Sequence, residues 1–321
     1  MKTVRSVVAV VVLSCAAGAA FAQAYPTKPV RVVVPWPPGG SNDIVGRVVS
    51  QKLTEVSGQQ FIVDNRGGAS GIIGSEGVAK SPPDGYTLMI HSATHVANPH
   101  LFKKIPYDTL KDFVGIAPLS AQIGMLAVHP SMPVKTVKDL IALAKARPGQ
   151  ITYGSSGNGS FVHLTMALLN VMTDTKMIHI PYKGGGPATI AIAAGETQAM
   201  IATIGSLIPS LSSGRVRAVA VTSDKRVDAY PNVPTIAESG VPGYEFTAWI
   251  GAFGPAGMPK AIVDKLNADM QKVLRMPDVA KTLNSQTLEP MFMTPEQFAR
   301  RLKSDYDKYE KVIRVSGAKV E

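Results

Sequence analysis

The pattern of apolar and polar residues predicts a strand followed by a helix early in the chain. A β-branched run at 30–34 stops at a cluster of Pro and Gly residues, as a buried strand does where it enters a loop. Apolar residues then recur at helical spacing over 44–56. Ser41 or Asn42 is expected to cap this helix, and Gly58 stands where the helix should end.

The same alternation continues to residue 90. Further strands are predicted at 61–63 and 86–90, with a helix of small residues at 71–79 between them. The order strand, helix, strand, helix, strand is typical of a parallel, doubly wound sheet.

A second α/β unit begins after about residue 124. Its predicted elements are helices at 137–146 and 160–172, strands at 151–153, 177–180, 199–202 and 216–221, and a helix that Pro187 opens at its first position. No Gly/Ser-rich linker separates the two units. We therefore expect the chain to cross between two domains on strands, near 123–129 and again near 246–253.

The pattern changes to helices after Trp249. Pro259 opens an amphipathic helix that runs to Leu274. The last helix begins at Thr294, because the segment 294–297 reads as a capping box with Pro at the first helical position.

Composition excludes a disordered chain. The 321 residues are 45% hydrophobic and 17% charged, and the length favours two domains. The net charge of +10 comes from Lys and Arg residues that are scattered along the chain, without a recognition-helix, zinc-finger or RNP-like pattern. We therefore expect no nucleic-acid binding and interpret the surplus as a solvated surface that favours approach of small anions.

The first 22 residues are typical of a secretory signal peptide. Lys2 and Arg5 form its basic part, 7–13 its apolar part, and 20–22 an A-x-A cleavage site before Gln23. The apolar run is shorter than the roughly 20 residues of a membrane-spanning helix. The sequence therefore predicts a periplasmic protein.

Cys15 is the only cysteine and lies inside this segment. The mature chain is therefore expected to have no disulfide, thiolate nucleophile or cysteine metal site. Residues 12–15 also resemble a lipobox, so lipid attachment at Cys15 is the alternative to cleavage after residue 22.

Motifs for catalysis and for cofactors are missing from the sequence. It has no G-x-S-x-G, no H-E-x-x-H or other metal-binding histidine pair on a predicted helix, no Walker A motif and no G-x-G-x-x-G. We expect no cofactor, no metal and no enzymatic activity. Most histidines are interpreted as local polar contacts, but His95 receives more weight because it follows a predicted strand.

Three polar, Gly-rich loops follow predicted strands and lead into predicted helices: Trp36–Ser41, Ser92–His95 with Asn98, and Ser155–Ser160. Open α/β sheets bind ligands outside the carboxyl ends of their strands. Free backbone N–H groups at a helix start stabilise an anion by roughly 0.3 to 1 kcal/mol each. The loops therefore predict a carboxylate or phosphate site.

Many segments, in order, resemble the periplasmic receptors of tripartite tricarboxylate transport systems, also called Bug receptors. The matching segments are 35–40 with Asp43, 63–69, 83–88, 106–108 with 111–113, 153–159, 181–185, 218–223, 231–235, and Trp249 with 254–257.

The resemblance implies a two-lobed periplasmic-binding-protein fold of the Venus flytrap type, with two crossover strands. Lobe one would comprise 23–123 and 248–321, and lobe two 124–247. The implied ligand is a small organic anion, a mono- or dicarboxylate with aromatic acids among the candidates. The implied partners are membrane permease subunits, and we expect a monomer.

The resemblance also implies the residues that hold the ligand. These are Trp36, Pro38, Gly40, Ser41 and Asp43; Ser92, Thr94, His95 and Asn98; and Ser155, Ser156, Gly157 and Ser160, with Thr203 in addition. Where many relatives carry an Asp after the strand 199–201, this chain has Ala202. That difference argues against amino-acid ligands and for a simpler or more apolar carboxylate.

Alternative interpretations stay open. Asp43 is expected to brace its loop, and Arg66 to satisfy carbonyls or pair with Asp64, more than either is expected to touch a ligand. A secreted hydrolase that uses Ser156 and His95 is a second hypothesis. A ligand-binding subunit that reports to a signalling partner is a third.

Overall fold

The computed structural model describes residues 25–182 and 184–316. The predicted signal peptide with Cys15, and Lys183 of the 181–185 motif, lie outside the described residues.

Strands and helices alternate through most of the described chain. The strands are β1 Val30–Val34, β2 Phe61–Asn65, β3 Thr87–Ser92, β4 Phe113–Gln122, β5 Gly124–Val128, β6 Thr152–Ser155, β7 Ile178–Pro181, β8 Ala199–Thr203, β9 Arg217–Val221, β10 Ala248–Pro255 and β11 Leu288–Pro290. The helices are α1 Ser41–Ser57, α2 Ile72–Ala79, α3 Thr94–Leu101, α4 Val137–Ala146, α5 Phe161–Thr173, α6 Gly185–Ala194, α7 Ile204–Ser212, α8 Lys260–Leu274, α9 Pro277–Ser285 and α10 Pro295–Ser316, with a 3₁₀ turn at Ala69–Gly71.

Lobe one is built on a six-stranded sheet with the order β11-β4-β10-β3-β1-β2. Strand β1 runs parallel to both β2 and β3, as the sequence predicts, and Val32 lies between Val63 and Leu88. The sheet as a whole is mixed, because β10 returns from lobe two and pairs antiparallel with both β3 and β4. The two-lobed α/β fold is confirmed, and the purely parallel sheet is corrected.

Lobe two is built on a five-stranded sheet with the order β7-β6-β8-β5-β9. Strand β6 runs parallel to β7 and β8, so these three strands present their carboxyl ends at one edge. Strand β5 runs antiparallel to β8, so it ends at the opposite edge. In both lobes the parallel strands therefore bring the predicted loops to one side of a sheet.

Most predicted helix ends are confirmed, with two shifts. Gly58 adopts the left-handed conformation and closes α1, whereas its N-cap is Gly40 rather than Ser41 or Asn42. Gly40, at φ −82° and ψ 168°, is the last extended residue before the helix. Ser41 is therefore already helical, one residue earlier than a cap at Ser41 predicts. Pro187 is the third residue of α6 rather than the first, because Gly184 is the N-cap.

The last helix has the predicted capping box. The Thr294 amide donates to Gln297 Oε1 at 2.9 Å, and the Gln297 amide donates to Thr294 Oγ1 at 3.2 Å. The helix α10 then runs along the side of the molecule and contacts both α3 of lobe one and α5 of lobe two.

The chain passes between the lobes at two places that are bonded differently. At the first crossing Ile123 alone separates β4 from β5, and its carbonyl accepts a hydrogen bond from Ile204. The second crossing, from Glu245 to β10, is bonded to α10, since Arg301 donates to the Thr247 carbonyl at 3.0 Å. A cavity of about 510 Å³ lies beside both crossings.

Four charged side chains reinforce the second crossing. Lys308 Nζ lies 2.6 Å from Glu245 Oε2, and Arg301 Nε lies 2.7 Å from Asp305 Oδ2. The indole N–H of the fully buried Trp249 donates to the same Asp305 oxygen at 2.8 Å. The buried carboxylate of Asp305 and the half-buried one of Glu245 thus each have a cationic partner, as burial of a charge requires.

None of the helices within the described residues combines the length and the apolar character that crossing a bilayer requires.

Candidate functional site

The two predicted loops of lobe one follow the carboxyl ends of β1 and β3, and the loop that follows β2 lies beside them. Asn65, the last residue of β2, donates to the Trp36 carbonyl at 3.1 Å and so joins the first two loops. Asn98 donates to the Ser70 carbonyl at 3.0 Å, which joins the loop after β2 to helix α3. The three loops therefore form one continuous edge.

The loops of lobe two form a matching edge. Strand β6 ends at Ser155, and the Ser155 carbonyl accepts a hydrogen bond from the Tyr182 amide of the next loop. The two lobes are in contact at Gly159, where an added Cβ would lie 2.6 Å from Leu101 Cδ2. Leu101 is the last residue of α3, so this contact joins the lobe-two loop to the helix that follows the lobe-one loop.

Asp43 braces the first loop of lobe one from behind. Its carboxylate accepts hydrogen bonds from the Gly39 amide and Arg47 Nε at one oxygen, at 2.9 and 3.0 Å, and from Asn65 at the other. Burial alone would raise the pKa of Asp43, but the hydrogen bonds from Arg47, Gly39 and Asn65 outweigh it and lower that pKa. The side chain is buried and its oxygens are already used, which fits the bracing role.

Trp36 is held by a histidine of the neighbouring strand. Its indole N–H donates to His91 Nδ1 at 3.4 Å, and the two rings meet edge to face. His91 is fully buried, and that burial, reinforced by His95, holds its pKa well below the ordinary value. The ring of Trp36 remains half-exposed at the loop edge.

His95 and Asn98 do not reach the edge, which corrects the expectation for both. His95 is fully buried between the rings of Phe113 and Phe253, with centroids 4.6 and 5.0 Å away. Burial lowers its pKa to about 3. Asn98 is equally buried. Both residues follow a strand end in sequence, but they fall on the inner face of α3.

This placement also separates the proposed hydrolase pair. His95 is enclosed in lobe one, while Ser156 lies in the loop of lobe two. A serine and a histidine do meet elsewhere, since Ser155 Oγ lies 2.5 Å from His179 Nε2. Ser155 has no exposed surface, however, so a substrate has no access to that hydroxyl group.

The loop of lobe two is closed by its own hydrogen bonds. The Ser160 hydroxyl donates to the Gly157 carbonyl at 2.7 Å and accepts from the His163 amide at 3.2 Å, so it caps α5. The Gly159 amide donates to His163 Nδ1 at 3.1 Å. Ser155 Oγ accepts from the Gly157 amide at 3.1 Å.

Several helices that start at these edges have no side-chain cap. The N-caps of α1, α3, α6 and α7 are Gly40, Ala93, Gly184 and Thr203, and none accepts a capping hydrogen bond on its side chain. Helix α2, with Gly71 as its N-cap, and helices α8 and α9 also lack such a cap, so a missing cap by itself does not mark a binding site. The first turns of α1, α3 and α6 present positive dipole ends at the loop edges. The first two N–H groups of α7 are already used, because Ile204 donates to the Ile123 carbonyl and Gly205 donates to Thr287 Oγ1 at 2.8 Å.

The predicted site residues therefore fall into two groups. Those with exposed surface at the edges are Trp36, Pro38, Gly40, Ser41, Thr94, Ser156, Gly157, Ser160 and Thr203; those enclosed behind the loops are Asp43, Ser92, His95, Asn98 and Ser155. Arg66 Nε pairs with Asp64 at 3.1 Å, as its non-ligand interpretation predicts. Ala202 is buried on β8, so Thr203 is the residue that emerges there.

Sequence reasoning gave too little weight to three histidines that support the loops. His91 contacts Trp36, His163 accepts from Gly159, and His179 contacts Ser155. One signal was available, because Ser160 and His163 have the spacing of an N-cap and the third helical residue. Among the described residues, no group of three or more His, Cys, Asp or Glu side chains is arranged to hold a metal ion.

Comparisons with a family model and with known relatives point to the same protein family. A family model described as "Tripartite tricarboxylate transporter family receptor" matches residues 45–318. The "UPF0065 protein in tcbD-tcbE intergenic region" of Pseudomonas sp. (strain P51) is 37% identical over 96% of this chain and 93% of that protein.

Solved structures agree in sequence and in shape. R. palustris Rpa4515 with adipate is 36% identical with a TM-score of 0.77, over 92% of this chain and all of that one. MatC (Rpa3494) from Rhodopseudomonas palustris with bound malate is 30% identical with a TM-score of 0.73, over 90% of this chain and all of that one.

Proposed function

The chain belongs to the tripartite tricarboxylate transporter receptor family, and from that membership we propose that it captures a small organic carboxylate between its lobes and delivers it to the transporter's permease. It is a solute-binding receptor by family. Receptors of this family work in the periplasm, and we propose export by the predicted signal peptide with cleavage after residue 22.

The observation that carries the proposal is the pair of facing loop edges with uncapped helix starts. Each N–H group there stabilises an anion by roughly 0.3 to 1 kcal/mol. The structural neighbours bind adipate and malate, which are both dicarboxylates. A carboxylate therefore matches the donors that this chain offers at Gly40, Thr94 and Ser156.

The proposed lobe boundaries are those of the sequence, with 23–123 and 248–321 in lobe one and 124–247 in lobe two. They are supported by the membership of the two sheets, since β5 to β9 form one and the remaining strands the other. Closure would bend the chain at Ile123 and near Glu245, and would replace the ligand's water shell by fixed dipoles.

The proposed ligand class is a dicarboxylate or a monocarboxylate with an apolar or aromatic body. Trp36 gives lobe one an aromatic wall, and Thr203 supplies a hydroxyl group at the edge of lobe two. Neither is charged, so these two residues select by shape and hydrogen bonding. Delivery to a permease and a monomeric receptor belong to the same proposal.

The test is a calorimetric titration of the purified receptor with mono-, di- and tricarboxylates and aromatic acids. We expect at least one dicarboxylate or apolar acid to bind with a 1:1 stoichiometry and to raise the melting temperature. A receptor that responds to none of these acids, or that responds to amino acids instead, contradicts the proposal.

A further inference from the structure

The loop between β6 and α5, residues 155–160, is shaped by two histidines beneath it. His163 comes from the first turn of α5, and His179 comes from β7, where it lies opposite Tyr153 of β6. Both side chains point nitrogen atoms at the loop: His163 Nδ1 accepts from Gly159 at 3.1 Å, and His179 Nε2 lies 2.5 Å from Ser155 Oγ.

The two rings form a tight stack. Their centroids are 3.8 Å apart and their planes differ by 5°. Tyr153 adds a third ring, 5.2 Å from His179 and nearly parallel to it. Each ring fixes the orientation of the next, so the nitrogen that faces the loop is held at one place.

The stack requires neutral imidazoles. Burial lowers the pKa of His163 to about 4, with His179 as a second cause, and burial lowers the pKa of His179 to about 4. A neutral His163 keeps a lone pair on Nδ1 for the Gly159 amide, whereas a protonated ring would place an N–H against that amide. Two imidazolium rings at this separation would also repel each other.

The loop needs this support because glycines interrupt it. Gly157 and Gly159 have φ values of 119° and 71°, which favour glycine, and glycine restricts its own backbone less than any other residue. The same loop carries Ser156, Gly157 and Ser160, which are half-exposed at the edge of lobe two.

We infer that His163 and His179 are positioning residues that hold the lobe-two loop in its binding shape without touching the ligand. The link to affinity rests on the proposed function, whereas the link to loop shape does not. This inference assigns a role to two side chains that the sequence left as local polar contacts.

The first experiment measures loop order without any ligand. Amide hydrogen exchange over residues 155–163 is compared in the wild type, His163→Leu and His163→Asn, with His179→Leu and His179→Gln as the second pair. Asn keeps an acceptor near the lost His163 nitrogen, and Gln keeps both a donor and an acceptor near the lost His179 nitrogen, whereas Leu keeps neither. We expect exchange to speed up about fivefold to tenfold in the Leu variants and by clearly less in the Asn and Gln variants.

A matched control lies at the opposite edge of the same lobe. His129 Nδ1 lies 2.7 Å from Ser131 Oγ, just after β5 ends. His129→Leu removes a similar histidine–serine contact and should leave exchange at 155–163 and ligand affinity unchanged. The melting temperature of every variant shows that a changed loop does not reflect a general loss of folding.

The second experiment measures the affinity of each variant for adipate. If adipate does not bind the wild type, the acid that binds most tightly in the ligand screen takes its place. We expect the Leu variants to weaken binding about fivefold to tenfold and the Asn and Gln variants to restore most of it. Unchanged exchange in His163→Leu, equal exchange in His163→Asn and His163→Leu, or an equal effect of His129→Leu overturns the inference. If exchange responds as expected but no acid binds the wild type, the proposed function fails and the positioning role stands.

Discussion

The two loop edges of the cleft are held in place by different chemistry. In lobe one, the buried carboxylate of Asp43 gathers the Gly39 amide, Asn65 and Arg47 around one charge. In lobe two, the neutral rings of His163 and His179 form hydrogen bonds with Gly159 and Ser155 of the loop. The difference teaches that equivalent edges of one cleft need not respond alike to acid or to mutation, although both offer backbone donors.

Removing the Asp43 carboxylate should have the largest effect on stability. Asp43→Ala leaves three donors behind the loop without their acceptor, and we expect it to cost about 2 to 4 kcal/mol of unfolding free energy. Urea denaturation measures this. Asp64→Ala is the control, because Asp64 pairs with Arg31 and Arg66 at a more exposed site and should cost less than about 1 kcal/mol. Equal costs would remove the distinction between the buried and the exposed carboxylate.

Acid should weaken lobe two before lobe one. The pKa values of His163 and His179 are lowered to about 4, so their support is complete above about pH 6.5 and is lost as the pH falls toward 4. The pKa of Asp43 is lowered, so its support is lost only below the ordinary range of a carboxyl group, near 3.8.

Calorimetry between pH 7.5 and 4.5 tests this order. With both pKa values near 4, about a quarter of each imidazole is protonated at pH 4.5, so we expect the affinity of the wild type to fall about twofold more than that of a His163→Asn, His179→Gln double variant. Protonation of the acid itself affects both proteins equally, so superimposable profiles would contradict the different roles of the two edges.

A methyl group at the contact between the edges should have an intermediate effect. Gly159→Ala combines a φ of 71° with a Cβ placed 2.6 Å from Leu101. Gly149→Ala has a similar φ of 74° with nothing within 4 Å, so it isolates the backbone cost. We expect Gly159→Ala to be less stable than Gly149→Ala by about 1 kcal/mol, as measured by thermal unfolding. A smaller cost of Gly159→Ala in the Leu101→Ala background than in the wild type would identify the clash; equal stabilities of Gly159→Ala and Gly149→Ala would exclude it.

A cap introduced in lobe one should give the smallest effect on stability. Gly40 is extended and has nothing within 4 Å of an added Cβ, so Gly40→Ser can place a hydroxyl group over the first turn of α1. We expect a gain of a few tenths of a kcal/mol and weaker acid binding, because the hydroxyl competes for the N–H groups. Thermal unfolding and calorimetry measure the two effects. Tighter binding would indicate that these N–H groups do not face the ligand.

Local rules of sequence were enough for most of the fold. The strand at Val30–Val34, the helix stop at Gly58 and the capping box at Thr294 follow from β-branching, a left-handed glycine and paired hydrogen bonds, all within a few residues. The antiparallel half of lobe one could not be derived this way, because it depends on β10 returning from lobe two about 120 residues after β4.

The candidate site was predictable as loops but less so as side chains. Strand ends place Trp36, Thr94 and Ser156 at the edges, since a loop must follow each strand. His95 is one residue beyond Thr94 yet faces inward, because a helix turns successive side chains by about 100°. Which face of α3 meets Phe113 and Phe253 is a property of tertiary packing, which sequence spacing alone does not contain.

Within the described residues, one tryptophan lies at the loop edge of lobe one and the other at the second crossing between the lobes. Trp36 is half-exposed on the capturing edge, while Trp249 is sealed at the second crossing with its N–H on the Asp305 carboxylate. Intrinsic fluorescence should therefore contain two separable signals. Trp36 should give a solvent-sensitive emission that responds to ligand contact, and the buried Trp249 should give an emission that responds to bending at the second crossing. Trp36→Phe and Trp249→Phe would isolate each emitter, so a stopped-flow instrument could time capture and closure on the unlabelled protein.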